Sequence, residues 1–243
     1  MLRIDVITLF PGFFEWPFGH SLLKQAQAKG KIRLQVHNLR DFTGDRHRTA
    51  DEKPFGGGAG MVLKPEPLFR CVEAIPGKGH VILLGPRGKP FTQGLAQRLA
   101  RKKHLVLVCG HYEGVDERVS EHLASEEISV GDFVTMGGEA PALLLVESVA
   151  RLVPGVLGNP ESLEEESFAR PRNGKAGGRR VAAKAQATLL EFPQYTRPRV
   201  FRGWEVPPVL LSGNHRVIAE WRKKESLRVT RKRRPDLFYS NRR

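Results

Sequence analysis

The stretch LVLVCGHYEGVDERV, residues 105–119, and the stretch EISVGDFVTMGGEAP, residues 127–141, organise the rest of this chain. Residues 105–109 form an apolar run of the length expected for a buried parallel strand, and residues 126–130 are predicted as a second strand. A glycine-containing loop follows each strand, over residues 110–114 and 131–138. Since α/β sheets bind ligands at the carboxyl ends of their strands, the two loops predict a ligand crevice. The alternative is two tight strand-to-helix turns without a ligand.

The pattern on either side of this stretch predicts an α/β domain with a mainly parallel sheet. Alternating or apolar runs predict further strands over residues 3–10, 32–39 and 80–84. Helical spacing predicts helices over residues 18–28, 65–75, 92–100 and 140–153. Thr92 is the predicted N-cap of the third helix.

Composition narrows the class of protein. A formal charge of +14 and a pI near 10.2 over 243 residues are typical of a nucleic-acid-binding protein, although a basic surface without a ligand is the alternative. No apolar run approaches the roughly 20 residues of a membrane span, and the first residues read as a strand rather than a signal peptide, which predicts a cytoplasmic protein. Two cysteines give neither a disulfide framework nor a zinc site, and Cys109 is predicted as a buried apolar residue.

The C-terminal part has a different character. Residues 169–187 contain six Lys or Arg, no acid and no periodic apolar face, which predicts a disordered or mobile basic linker. Beyond it, the segment Ser212-Gly213-Asn214 offers a helix N-cap, and the tail from residue 222 to 243 has ten Lys or Arg against two acids. That tail predicts a surface for phosphate groups, with a solvated helix face as the alternative. The predicted core of this unit consists of Trp204, Val206, Val209, Leu210, Leu211, Ile218 and Trp221.

Several motifs in order along nearly the whole chain resemble the bacterial tRNA (guanine-N1)-methyltransferase family of the SPOUT class. In chain order they are RTADEKPFGGGAGM, CGHYEGVDERV, EISVGDFVTMGGEAPAL, PQYTRP, VPPVLLSGNH and IAEWR. The resemblance implies an α/β domain with a mainly parallel sheet and a C-terminal trefoil knot, and a small all-α C-terminal domain. The implied boundaries are 1–168 for the methyltransferase domain, 169–188 for the linker and 189–243 for the tRNA-binding domain. It also implies tRNA as partner and a homodimer with its active site at the subunit interface, without a membrane.

The resemblance implies that S-adenosyl-L-methionine is bound by the turn after residue 83 and by the two glycine loops. The matching positions are Leu84, Gly85, Pro86, Gly110, Tyr112, Glu113, Gly114, Ser129, Val130, Gly131, Phe133, Gly138 and Pro141. Residues 40–60 form a long loop of the kind that is usually functional or disordered. By resemblance this loop holds the target guanine and its neighbouring nucleotide through His47, Asp51 and Gly60.

Methylation of guanine N1 needs a base that removes the N1 proton and a cation or N–H donor near O6, where negative charge develops. By resemblance the base is Glu166 and the cation is Arg151. The family residue at the first position is usually Asp, and Glu164 and Glu165 lie beside Glu166, so the register there stays open. His111 stands where an Arg is common in the family. The resemblance also implies Mg²⁺, for which the sequence offers no ligand cluster.

The implied reaction is methylation of the guanine at tRNA position 37, next to the anticodon. One alternative is a methyltransferase of the same class that acts on another RNA. Another is a catalytically silent RNA-binding protein, which the Glu at position 166 favours. A nucleotide-binding dehydrogenase is disfavoured, because no G-x-G-x-x-G motif follows a strand with an acidic residue downstream.

Overall fold

The computed structural model describes residues 1–159, 162–169 and 189–238, with the side chains of Glu164 and Glu165 outside the description. Its contacts divide the chain into two compact units, Met1–Gly158 and Asn159–Arg243. The helix that contains residues 162–165 therefore belongs with the second unit, whereas the sequence places the domain boundary at residue 168. The sequence-based domain boundaries stay a prediction, because most of the proposed linker lies outside the described residues.

The first unit is built on a parallel sheet of five strands in the order β2-β1-β6-β5-β7. The fold class expected from the sequence, α/β with a mainly parallel sheet, is confirmed. The strands of this unit are β1 (Leu2–Thr8), β2 (Ile32–Asn38), β3 (Asp51–Glu52), β4 (Val62–Leu63), β5 (His80–Pro90), β6 (His104–Cys109) and β7 (Glu126–Ser129), of which β3 and β4 form a separate antiparallel pair. Its helices are α1 (Glu15–Phe18), α2 (Ser21–Ala28), α3 (Pro65–Ala74), α4 (Gln93–Leu99), α5 (Glu117–His122) and α6 (Glu139–Ala150).

Helices cover both faces of the sheet, and strand residues alternate between the two cores as a period of two requires. In β6, Leu105 and Leu107 pack into a cluster with α1, α2, α4 and α6, whereas Val106 and Val108 pack into a cluster with α3 and α5. Cys109 is buried at the end of β6, as predicted. Burial on both faces explains why this strand is apolar throughout.

Strand β5 is longer than the sequence predicts. The expected strand ends at Leu84, but β5 runs to Pro90, with a shift of register between Leu84 and Lys89, both of which pair with Ile128 of β7. The GPRGK segment is therefore an irregularity inside a strand rather than a terminal turn. Gly88 allows the chain to come back to β7 and pair with it a second time, because a Cβ at this position would overlap the β7 backbone. The segment between the two pairings bulges toward the carboxyl edge, where the predicted cofactor residues lie.

A buried carboxylate joins three strands of the sheet. Asp5 of β1 is fully buried, and its carboxylate lies 2.6 Å from Nε2 of His37, 2.8 Å from Nε2 of His104 and 2.6 Å from Nε of Arg3. Burial alone raises the pKa of Asp5, but the hydrogen bonds from His37, Arg3 and His104 outweigh it and lower the pKa to about 2. The carboxylate is therefore more stable in the folded than in the unfolded chain.

Acid is expected to remove the contribution of Asp5 to folding. The folded-state pKa of about 2 lies below the ordinary value of 3.8, so the stabilisation, about 2 kcal/mol, is present above pH 4 and is lost as the pH falls through 2. Urea unfolding between pH 6 and pH 3 should show a smaller pH-dependent loss in Asp5→Asn than in the wild type. The exposed Asp132→Asn serves as control. Equal losses in wild type and Asp5→Asn would contradict the assignment.

The second unit contains α7 (Ser162–Glu165), the hairpin strands β8 (Val200–Phe201) and β9 (Trp204–Glu205), and the long helix α8 (His215–Arg233). The predicted capping segment, residues 212–214, does precede α8, and Asn214 is the cap, since its side chain accepts a hydrogen bond of 3.3 Å from the Val217 amide. The β-hairpin is an element that the expected all-α domain does not include. None of the helices in the described parts of the chain has the length and apolar character needed to cross a membrane.

The predicted core of this unit is wrong for two of its members. Trp204 is 69% exposed and Leu211 is 50% exposed. Among the described residues, Phe192, Ser226, Thr230 and Leu237 are buried instead. Thr230 accepts a hydrogen bond of 2.9 Å from the Leu190 amide and donates one of 2.7 Å to the Ser226 carbonyl, which fixes the segment after residue 188 against α8. Trp204 stays outside because it lies in the hairpin, away from that contact.

Candidate active site

The carboxyl ends of β5, β6 and β7 open into a cleft with a volume of about 480 Å³. Every residue that the sequence assigns to the methyl donor lines this cleft. These residues are Leu84, Gly85, Pro86, Gly110, Tyr112, Glu113, Gly114, Ser129, Val130, Gly131, Phe133, Gly138 and Pro141. The structure therefore brings the two glycine loops and the β5 irregularity together in one place, at the edge of the sheet where α/β proteins bind ligands.

The two glycine loops contact each other directly. The amide of Gly138 donates a hydrogen bond of 2.7 Å to the Gly110 carbonyl, and His111 forms an isolated antiparallel bridge with Gly137. A Cβ on Gly138 would lie 2.6 Å from the Cα of Cys109. Only glycine permits this approach without movement of the backbone. The floor of the cleft is therefore a backbone contact that sequence spacing alone does not reveal.

A buried polar network lies behind this contact, and sequence reasoning missed it. Glu139, the first residue of α6, is 5% exposed, and its Oε1 accepts a hydrogen bond of 2.6 Å from the Thr8 hydroxyl. Its Oε2 lies 3.7 Å from Nδ1 of His111. The Phe10 ring contacts the same histidine at a tilt of 55°, with ring centroids 4.9 Å apart. The network ties the end of β1 to both loops, and 131 residues separate Thr8 from Glu139.

The wall of the cleft is rich in carboxylates. Glu113, Glu117 and Glu127 line it, and Gly85 leaves room for Glu127, since a Cβ there would lie 2.5 Å from Oε1. Arg87 is a cation of the same wall and donates a hydrogen bond of 2.6 Å to Glu117, which raises the pKa of its guanidinium. Apolar side chains such as Val130 and Phe133 complete the lining. The arrangement suits a ligand with a flat apolar group and a positive charge.

The predicted substrate residues lie beside the cleft to different degrees. Asp51 pairs with Leu63 across β3 and β4, and the Leu63 amide donates a hydrogen bond of 3.0 Å to the Gly114 carbonyl. Gly60 has a positive φ of 87° and faces the Glu113 side chain, whose Cδ would lie 2.9 Å from a Cβ on that glycine. His47 occupies an exposed turn and does not line the cleft. The structure thus joins Asp51 and Gly60, but not His47, to the rim.

The two predicted catalytic side chains lie in different units. Arg151 is the C-cap residue of α6. The twelve residues of that helix separate it from Gly138 at the other end by about 20 Å along the axis, at 1.5 Å per residue. Glu166 is half-buried and directly follows α7. The adjoining Ser167 hydroxyl accepts a hydrogen bond of 2.9 Å from the Glu191 amide, and the Phe168 amide donates one of 3.0 Å to the Leu189 carbonyl.

The described residues do not fit a protein-bound Mg²⁺ site. No group of three or more His, Cys, Asp or Glu side chains within residues 1–159, 162–169 and 189–238 is arranged to hold a metal ion. The carboxylates of the cleft are also spread along its wall and, in the case of Glu117, engaged by Arg87. No step of the chemistry is therefore assigned to a metal.

Known proteins that are similar to this chain share one description. A family model described as tRNA (Guanine-1)-methyltransferase TrmD matches residues 2–240. A protein of Gloeobacter violaceus named tRNA (guanine-N(1)-)-methyltransferase is 54% identical over 240 residues, which cover 98% of both chains. Relatives with the same name from Dehalococcoides mccartyi and Dictyoglomus turgidum are 53% and 52% identical, and each match covers 98% of this chain and 90% of the relative.

Proposed function

This chain belongs to the tRNA (guanine-1)-methyltransferase family, and we propose from that premise that it transfers a methyl group from S-adenosyl-L-methionine to N1 of the guanine at tRNA position 37. Guanine-N1 methylation of tRNA is the reaction for which the relatives are named. The observation that carries the proposal is the convergence of all thirteen predicted donor-binding residues on one cleft. The position next to the anticodon rests on the family resemblance.

The cleft fits S-adenosyl-L-methionine in size and charge. The adenine is a flat ring that apolar side chains such as Val130 and Phe133 can cover, and exposed backbone groups of glycine loops can approach it closely. The donor carries a sulfonium and an ammonium group, both of which are positively charged. The carboxylates of Glu113 and Glu127 in the cleft wall attract such cations electrostatically. When bound, the donor supplies an activated methyl group that leaves without a metal.

The remaining chemistry falls to this chain's own side chains. The N1 nitrogen of guanine attacks the methyl carbon, the bond from carbon to sulfur breaks, and the N1 proton passes to a base. We assign the role of that base to Glu166. General-base catalysis by a positioned side chain contributes about 10²–10⁴-fold to the rate. The negative charge that develops on O6 is stabilised by the guanidinium of Arg151. Glu166 suits the task because hydrogen bonds of Ser167 and Phe168 to the segment after residue 188 fix the backbone around it.

A homodimer is part of the proposal. Gly138 of the cleft and Arg151 lie at opposite ends of α6, about 20 Å apart along the axis at 1.5 Å per residue. At that distance Arg151 does not reach a guanine beside the cleft of its own chain. In a homodimer it can reach a guanine beside the cleft of the second copy. Exposed apolar residues of the first unit, such as Phe13 and Trp16, are available for such an interface. Light scattering is expected to give a mass near twice 27.2 kDa.

The other parts of the chain take roles that follow from this assignment. His47, Asp51 and Gly60 contact the target guanine and its neighbouring nucleotide, and the basic tail of the second unit binds phosphates. The C-terminal trefoil knot that the family resemblance implies is part of the same proposal. Residues 1–168 constitute the methyltransferase domain, 169–188 a linker and 189–243 the tRNA-binding domain. Since tRNA is the substrate, the proposed place of action is the cytoplasm.

The test of this function is methyl transfer from labelled S-adenosyl-L-methionine to two unmodified tRNA transcripts. One carries guanine at position 37 and the other carries adenine there. Label on the guanine transcript alone, recovered as 1-methylguanosine after digestion, supports the proposal. Label on ribosomal RNA but on neither transcript would favour a methyltransferase with another RNA substrate. Donor binding without transfer to any RNA would favour a silent RNA-binding protein, the alternative that Glu166 in place of the usual Asp suggests.

A further inference from the structure

The hairpin of the second unit presents two aromatic side chains to solvent. Phe201 and Trp204 pair directly across β8 and β9, so both side chains project from the same face of the hairpin. They are 55% and 69% exposed, and their ring centroids lie 6.1 Å apart. The turn between them is Arg202-Gly203, both with positive φ, which is the backbone conformation of a tight two-residue hairpin.

Arginines surround this aromatic pair. The guanidinium of Arg202 lies over the Phe201 ring at 5.3 Å from its centroid. Arg197 and Arg199 precede the hairpin and are exposed, and the Val206 amide donates a hydrogen bond of 3.0 Å to the Arg199 carbonyl, which extends the hairpin to that residue. Glu205 is the one acidic residue between residues 195 and 206. The surface is thus both aromatic and cationic.

Isolated two-stranded hairpins are marginally stable in water, and this one leaves its largest side chains uncovered. Such a surface gains stability when a partner covers the rings. An apolar protein surface would explain why the aromatic rings are exposed in the free chain, but it would not explain the three arginines beside them. An unpaired nucleotide accounts for both, since bases stack on aromatic rings and on guanidinium planes while phosphates pair with arginine.

We propose that the hairpin formed by Val200–Phe201 and Trp204–Glu205 is a stacking site for an unpaired base of the RNA substrate. The base lies against Trp204 and Phe201, and Arg197, Arg199 and Arg202 face its phosphates. The proposal rests on the proposed function in one respect, namely that the RNA bound by this chain is tRNA. It adds a contact outside the methyl-donor cleft that acts on RNA affinity and not on the chemical step.

Tryptophan fluorescence tests the stacking directly. A variant in which Trp204 is the only tryptophan (Trp16→Phe and Trp221→Phe) should lose fluorescence when unmodified tRNA is added, because a stacked base quenches indole emission. A fully paired RNA duplex of equal length should quench much less. Quenching by the duplex as strong as by tRNA, or none by a tRNA that the variant methylates, would overturn the proposal.

Substitution provides the second measurement. Trp204→Ala should weaken tRNA binding by about 5- to 160-fold, the range for loss of one stacked base, and raise KM for tRNA while kcat at saturating tRNA is retained. Trp204→Phe should restore most of the affinity. The matched control is Leu211→Ala, which removes a side chain of the same unit that is 50% exposed and lies outside the hairpin. Equal affinities of wild type and Trp204→Ala would overturn the proposal.

Two further results separate this inference from the proposed function. If tRNA is not methylated but another RNA with unpaired bases quenches Trp204, the function assigned to the chain fails and the stacking site stands. If Trp204→Ala converts a dimer to a monomer and leaves RNA affinity per monomer unchanged, the rings cover a second copy of the chain and the stacking site is wrong.

Discussion

Replacing Glu166 with glutamine is expected to lower kcat for tRNA methylation by about 10²- to 10⁴-fold, and to leave the Kd of S-adenosyl-L-methionine unchanged. Glutamine keeps the length of the side chain and its carbonyl oxygen, but it cannot take the N1 proton. Glu166 is half-buried beside a backbone that Ser167 and Glu191 fix through a hydrogen bond of 2.9 Å. Single-turnover rates at saturating tRNA and donor, with calorimetry for donor binding, separate the two quantities.

Matched variants decide the register of the base. Glu164→Gln and Glu165→Gln change neighbouring acids in the same way and are expected to keep wild-type rates. Glu166→Asp introduces the residue usual in the family and is expected to stay active. If Glu166→Gln retains activity and Glu165→Gln or Asp51→Asn loses it, the base belongs to that other residue.

Replacing Gly138 with alanine is expected to weaken donor binding by at least about 10-fold and to destabilise the fold by about 1–3 kcal/mol. The added methyl group would lie 2.6 Å from the Cα of Cys109 and 2.9 Å from the amide nitrogen of Gly110. Both are backbone atoms and cannot rotate away, so the two loops must separate. Separation also stretches the hydrogen bond of 2.7 Å between Gly138 and Gly110. Calorimetric titration and urea unfolding measure the two effects.

Gly158 supplies the control for this substitution. A Cβ there meets no atom within 4 Å, and its φ is not in the positive region. Gly158→Ala is therefore expected to leave both donor affinity and stability within the usual range of surface changes, about 0.5 kcal/mol. Donor affinity that is equal in Gly138→Ala and Gly158→Ala would show that the close approach of the loops does not shape the cleft.

Much of the candidate site could be predicted from the sequence, because its residues come from three short segments. Apolar run length places each strand, and the glycine loop that follows each strand must then lie at the same edge of a parallel sheet. The family resemblance added the identity of the donor and the roles of individual residues. Local sequence patterns also predicted the helix caps. Thr92 accepts a hydrogen bond of 3.3 Å from the Leu95 amide, and the cap of α8 lies in the predicted segment 212–214, at Asn214.

The sequence-based predictions that the structure contradicts have a common physical cause. The sequence predicts that the strand at residues 80–84 ends at glycine and proline, yet pairing of Lys89 with Ile128 continues β5 to Pro90. It also predicts Trp204 in a core, where large aromatic residues are usually buried, yet Trp204 is 69% exposed on a hairpin. In both cases the outcome depends on which other segment is available for pairing or packing. Periodicity within one segment contains no information about that partner.

The sequence by itself determined the α/β class, the two glycine loops and the cationic character of the chain, since these follow from composition and from patterns a few residues long. Tertiary structure decided which polar groups meet inside the protein. The Thr8 hydroxyl reaches Glu139 across 131 residues, and Asp5 gathers His37 and His104 from two neighbouring strands. Each such contact requires burial that excludes water, and only the assembled sheet and its helices provide it.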